Sequence, residues 1–206
     1  MTVAAISRRA FGYVVGGGFA ATVLTTGLGT ALDPARAAVT DSLRARAKAA
    51  LDRHRDNVRM SDRIAIADYG KHSRDLRFHI VDLIGGQEWS YLVAHGRGSD
   101  PEHSGYLQNF SNEDGSLASS QGAFATGDIY EGQHGQSMRL LGLDPVNSNA
   151  EPRAIVVHGA DYVSEDHIAT WGKVGRSEGC FALARHMIPQ VLGMLGPNRM
   201  LFADKV

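Results

Sequence analysis

From Met60 onward the apolar residues of this chain come in short β-branched or aromatic runs: RIAIADYG, LRFHIVDL, EWSYLVAHG, RAIVVHGA and RMLFADKV. Each is closed by Gly, Asp, Asn or Ser, the punctuation that ends strands. This pattern leaves little but a mainly β domain, a sandwich or a barrel. In RFHIVDL, Phe78, Ile80 and Asp82 share one face and His79, Val81 and Leu83 the other. Two partly apolar faces predict a central strand. Glycine-rich pieces such as LIGGQ, HGRGS and YEGQHGQ read as turns. The Gly96 to Gly127 span, rich in Gly, Ser and Asn, reads as loops, and a loop that long inside a compact domain usually serves function.

Two helices flank the strands. One is predicted from Thr40 to about Val58, capped by Thr40 or Asp41, with Leu43, Ala47, Ala50 and Leu51 on one face. Its arginines and lysine form the solvated face of a packing helix. A shorter helix is predicted in ARHMIPQVLGML before the last strand, with Pro189 limiting its start. The N-terminus has a different character. Ser7-Arg8-Arg9-Ala10-Phe11 matches the core of a twin-arginine export signal, the following apolar stretch is diluted by Gly and Thr, and Ala35-Arg36-Ala37 offers a cleavage site. The expected organisation is an export signal over 1–37, an N-terminal helix over 38–60 and the main, strand-rich domain over 61–206. The mature chain is then expected in the periplasm or cell envelope, with no stable membrane span once the signal is removed. A net charge of −1 supplies no excess of cations for nucleic acid.

Export makes the lone Cys180 notable, because one cysteine forms no intrachain disulfide in an oxidising compartment. Gly179 before it permits a tight turn and bare backbone N–H groups beside the thiol, the elements of an oxyanion hole. A thiol needs a base to become a good nucleophile. His158, at the end of the AIVV run and followed by Gly159, is the candidate. The segment between them, GADYVSEDHIATWGKVGR, is long enough to bring the two together. His134, His158, His167 and Cys180 can be drawn as a zinc set, but no pair has ligand spacing such as C-x-x-C, and no metal or other cofactor is expected. GRSEG, Gly175 to Gly179, has G-x-S-x-G spacing, but a Ser–His–Asp hydrolase is the weaker reading beside Cys180 and His158.

The stretch VVHGAD…GRSEGCFAL resembles the active-site signature of the L,D-transpeptidases, the YkuD-type cell-wall enzymes, and most resembles their murein L,D-transpeptidase catalytic-domain subgroup. Matching blocks run in order from about Ile64: RFHIVDL, LVAHGRGS, FSNEDGS, SSQGAF, YEGQHGQSMRLLGLD, RAIVVHGADYV and GRSEGCFAL. Four departures stand out. Glu178 replaces the His or Trp of the pattern, Ala182 an Arg or Asn, and Gln121 an apolar residue, and the gap from His to Ser is slightly long.

The resemblance implies a YkuD-like fold and a cysteine acyl-transferase acting on peptidoglycan stem peptides. Cys180 would attack the carbonyl between a diamino acid and D-Ala. His158 would move the proton, its other ring nitrogen held by the Gly159 carbonyl. The N–H groups of Gly179 and Cys180 would face the oxyanion. Transfer to an amine would give a 3-3 crosslink and transfer to water would give hydrolysis. Arg176 and Ser177 would shape the wall beside the thiol, and His134 would line the cleft. Acylation by carbapenems is implied as well. Glu178 would raise the thiol pKa if it pointed inward. Two other readings share these residues: a non-catalytic exported wall-binding protein on the same scaffold, and a sortase-like transpeptidase with Arg185 as its arginine.

Overall fold

The computed structural model describes residues 38–206. The export signal expected over 1–37 lies outside the described residues. In chain order the elements are α1 (Asp41–Arg53), β1 (Arg63–Asp68), β2 (Phe78–Asp82), β3 (Glu88–Tyr91), β4 (Val93–Ala94), β5 (Gly122–Gly132), β6 (Gly135–Gly142), β7 (Val156–Ala160), α2 (Glu165–Trp171), β8 (Phe181–Ala184), α3 (Ile188–Leu195) and β9 (Met200–Asp204). No helix among the described residues is long and apolar enough to cross a membrane.

The strands form one mixed sheet in the order β3-β2-β1-β9-β5-β6-β7-β8-β4. Pairing is antiparallel except between β1 and β9 and between β7 and β8. The two ends of that order, β3 and β4, are separated in the chain by Leu92 alone. The segment 88–94 therefore pairs with β2 through its first half and with β8 through its second, which closes the sheet. Closure removes exposed edges. It decides the sandwich-or-barrel alternative in favour of a barrel-like sheet.

Side chains alternate between faces along each strand, and the alternation sorts the core. One face of all nine strands contributes to a single apolar cluster that includes Phe78, Phe124, Phe181 and Leu201, with α3 inserted through Ile188, Val191, Leu192 and Leu195. The opposite face is covered twice. Helix α1 packs Leu43, Ala47, Ala50 and Leu51 against Ile64, Ile66 and Phe202. The segment around Val163 and Val174 covers Ala182 and Ala184.

The Thr40 cap is as expected, its Oγ1 accepting the Leu43 N–H at 3.3 Å. The helix ends at Arg53, short of the expected Val58. Pro189 sits in the first turn of α3, the position where its missing N–H costs nothing. β2 is an interior strand. Gln121, unexpected in its block, donates to Asp204 Oδ1 at 2.7 Å.

Two expectations need revision. The glycine-rich span is loop only as far as Gln121; from Gly122 it is the start of the 11-residue strand β5. Low β-propensity at Gly122 is overridden by pairing with Ala203 and by a φ of +104° that only glycine takes easily. The long segment between His158 and Cys180 contains a short helix, α2, capped by Ser164.

Candidate active site

β7 and β8 are adjacent and parallel, with Val157 opposite Phe181 and His158 opposite Ala182. Cys180 immediately precedes Phe181. Val157 and Phe181 both enter the inner core, so alternation turns His158 and Cys180 to the other face. Both open into a cleft of about 570 Å³, with His134, Arg153, Tyr162 and Arg176 among its walls. Ser177 and Glu178 line it too, together with Asp114, Gly115 and Leu117 from the long loop.

Gly179 has φ +114°, and a Cβ there would lie 2.7 Å from the Ala118 carbonyl oxygen and 2.9 Å from Ile155 Cδ1. Backbone conformation and space both require glycine. Ser177 Oγ accepts the Gly179 N–H at 3.2 Å and donates to the Cys180 carbonyl at 2.7 Å. The turn before the thiol is thus held by Ser177 from within. The Gly179 N–H, one of the two expected to face an oxyanion, thus rests on Ser177. Ser177 is also fixed from behind, its N–H donating to the His95 carbonyl at 2.9 Å.

His158 is 4% exposed, and its Nδ1 lies 3.0 Å from the Gly159 carbonyl oxygen. A carbonyl only accepts, so Nδ1 carries the proton and Nε2 is the free base. Burial lowers the His158 pKa against the opposing Gly159 hydrogen bond, and the neighbouring His134 and Arg185 lower it further. The imidazole is therefore held neutral. Burial also raises the Cys180 pKa, opposed by a Val156 backbone hydrogen bond and by Arg153; Glu178 adds a smaller upward push. The thiol donates to the Ala154 carbonyl at 3.5 Å.

The outer residues are held by named partners. The His134 ring stacks on His158 at 4.2 Å between centroids and 23° between planes. It rides on the turn between β5 and β6, whose carbonyl at His134 accepts from Arg185 Nη1 at 3.2 Å. Arg185 also forks onto Asp161 at 2.7 and 3.1 Å and is not among the cleft-lining residues. Arg176 Nη1 donates to the Pro101 carbonyl at 2.9 Å and to that of Asp100, so it anchors the long loop while facing the cleft. Glu178 points outward, is 67% exposed and pairs with Arg97 at 2.7 Å. Ala182, the other departure near Cys180, is fully buried under the outer cover of the sheet. His167, of the rejected zinc set, lies in α2 beside Trp171.

The sequence reading named Cys180, His158, Gly159, Arg176, Ser177, Gly179 and His134, and the fold brings them to one place. It passed over Arg153, Tyr162, Tyr130 and Asp114, all of which line the cleft. Arg153 and Tyr162 stand inside the RAIVVHGADYV block. Their signal was present, but nothing in the spacing distinguishes a cleft residue from a packing one.

The sequence model of the L,D-transpeptidase catalytic domain matches residues 36–203. The chain belongs to that family. Comparison with curated protein sequences gave no match. Among solved structures, the chain is similar to the helical cell shape determining protein Pgp2 from Campylobacter jejuni, at 12% identity and a TM-score of 0.45, over 69% of this chain and 47% of that one. It is similar to an L,D-transpeptidase from Mycobacterium smegmatis at 12% identity and a TM-score of 0.43, over 69% and 58% of the two chains. The corresponding values for the L,D-transpeptidase LdtMt1, solved in complex with imipenem, are 12%, 0.42, 69% and 59%. The match thus spans only about half the length of these proteins.

Proposed function

We propose that the protein is a cysteine acyl-transferase of the cell envelope that acts on peptidoglycan stem peptides. The observation that carries this reading is the tautomer of His158: with Nδ1–H committed to Gly159, a neutral Nε2 is the base in the cleft that Cys180 shares. The thiol leaves its long contact with Ala154 and gives its proton to Nε2. The sulfur bonds to the carbonyl carbon at the L-centre of the diamino acid, and the charge on the tetrahedral oxygen is met by the Cys180 N–H. One well-placed donor of this kind is worth roughly 3 kcal/mol. As the C–N bond breaks, His158 returns the proton to the amine of D-Ala. An acceptor amine, or water, then cleaves the thioester and regenerates the thiol. Raised thiol and lowered imidazole pKa values favour the neutral pair at rest, so transfer is coupled to attack. Export under the N-terminal signal would bring the chain to this substrate.

The test is mass spectrometry after incubation with imipenem, and separately with a tetrapeptide stem. The expected outcome is a covalent adduct and release of D-Ala by the wild type, and neither by Cys180→Ser. A demonstrably reduced Cys180 that gives no adduct and releases no D-Ala would refute the proposal and favour the wall-binding alternative.

A further inference from the structure

We propose that Arg153 is a positioning residue whose guanidinium supports the Cys180 thiolate. Arg153 stands just ahead of β7, half-buried in the cleft wall. Its Nη1 donates to the Ser111 carbonyl and to Ser120 Oγ, both at 2.7 Å, and its Nη2 donates to the Ala118 carbonyl at 2.6 Å. All three acceptors are neutral. Among the ion pairs of the described residues Arg153 appears in none; Asp114, a carboxylate of the same cleft, acts on it only from beyond salt-bridge distance. Holding a desolvated cation without a counter-ion in contact is unfavourable. Burial does lower the Arg153 pKa. A charge fixed in that way suits a partner whose own charge is transient.

That partner is at hand. A Cβ on Gly179 would lie 3.2 Å from Arg153 Nη2, so the guanidinium abuts the residue before the thiol. The thiol's present acceptor, the carbonyl of Ala154, belongs to the residue after Arg153. Asp114, across the same cleft, also favours the Arg153 charge without pairing with it. The remaining charged groups nearby are otherwise engaged or kept neutral. His158 is disfavoured as an imidazolium. Arg176 faces the carbonyls of Asp100 and Pro101. Glu178 turns out to Arg97. When the thiol gives up its proton through His158, the charge left on sulfur is met by Arg153 and by the Val156 N–H. The hydrogen bonds to Ser111, Ala118 and Ser120 hold the guanidinium still, so no reorganisation is needed when that charge appears.

The proposal rests on Cys180 as the nucleophile, but its test needs only the thiol. Rates of alkylation by iodoacetamide are measured against pH for the wild type, Arg153→Met, Arg153→Gln and Arg153→Lys, with folding checked by thermal melts. The neutral variants are expected to move the midpoint up by about one pH unit, which is about ten-fold slower alkylation at a pH below it. Arg153→Lys, which keeps the charge, is expected to recover most of that shift. Arg153→Gln keeps a donor for the loop carbonyls and serves if Arg153→Met does not fold. A midpoint unmoved in the neutral variants overturns the proposal, as does a lysine variant that matches them. Stem-peptide processing that falls while the midpoint stays put would mean that Arg153 reads a substrate carboxylate instead, and also overturns it. A midpoint that shifts in a protein that forms no acyl-enzyme would sustain the Arg153 proposal and sink only the acyl-transfer reading.

Discussion

At Gly179 the backbone and the packing agree on a single residue type. A φ of +114° disfavours any side chain, and the first atom of one would press on the Ala118 carbonyl at 2.7 Å. Gly179→Ala is expected to destabilise the fold by about 1–3 kcal/mol, the usual cost of backbone strain of this kind, and to displace the Ala118 carbonyl to which Arg153 is bound. Urea midpoints check the first effect and imipenem acylation rates the second; a variant with unchanged midpoint and rate would refute both. Glu178 illustrates the opposite case. It is beside Cys180 in sequence, yet it is an exposed partner of Arg97, and surface pairs of that sort contribute little.

Among the elements, α1 and the β5–β6 hairpin have separate tasks. Helix α1 is a cover: four buried residues on one stripe seal the outer face of β1, β5 and β9. Leu43→Ala, at a fully buried position, is expected to lower unfolding free energy by about 2–5 kcal/mol. The helix does not line the cleft, so the acylation rate per folded molecule is expected to stay the same. Denaturant titration beside adduct formation separates the two; loss of acylation in a folded variant would mean that the helix reaches the site. The hairpin instead delivers His134 onto His158, with Arg185 holding the turn. Its glycines read as turns between short strands, but β5 is long because it pairs with β9 at one end and β6 along the rest. Pairing partners of that kind are invisible in a local window.

The closure of the sheet at Leu92 is the feature on which the whole molecule turns. Where the segment 88–94 changes partners, Arg77 enters the interior, wholly buried. Its Nε and Nη2 donate to the Val93 carbonyl at 3.1 and 2.9 Å, and its Nη2 lies 2.9 Å from His95 Nδ1. An arginine only donates, so Nδ1 accepts and His95 Nε2–H points to Asp100 Oδ2, at 3.2 Å. Burial, aided by Arg77, lowers the His95 pKa to about 3. Its folded value lies below the ordinary histidine value of ~6.5, so the unfolded chain binds a proton there first. This contribution to stability is complete above about pH 6.5 and is lost as pH falls through the window towards 3, at up to ~1.4 kcal/mol per pH unit. Urea midpoints measured from pH 7 to pH 4 are expected to fall steeply in the wild type and less steeply in His95→Gln. Equal slopes would show that His95 does not drive the loss. The same network backs Ser177 through the His95 carbonyl, so acid is expected to loosen the turn before Cys180 along with the fold.

From the sequence alone came the strand-rich class, the α1 stripe of Leu43, Ala47, Ala50 and Leu51, the proline-limited α3, and the choice of Cys180 and His158, which line one cleft. All are local patterns, or residue types too chemically distinctive to overlook in a family block. Only the tertiary structure decided that the sheet closes through Leu92, that Ser177 takes the Gly179 N–H, that Glu178 pairs with Arg97, and that Arg153 stands against the turn before Cys180. These depend on which strands become neighbours and in what register. That choice is made by burial of one common face of nine strands around α3, a property of the whole chain that no short stretch of it carries.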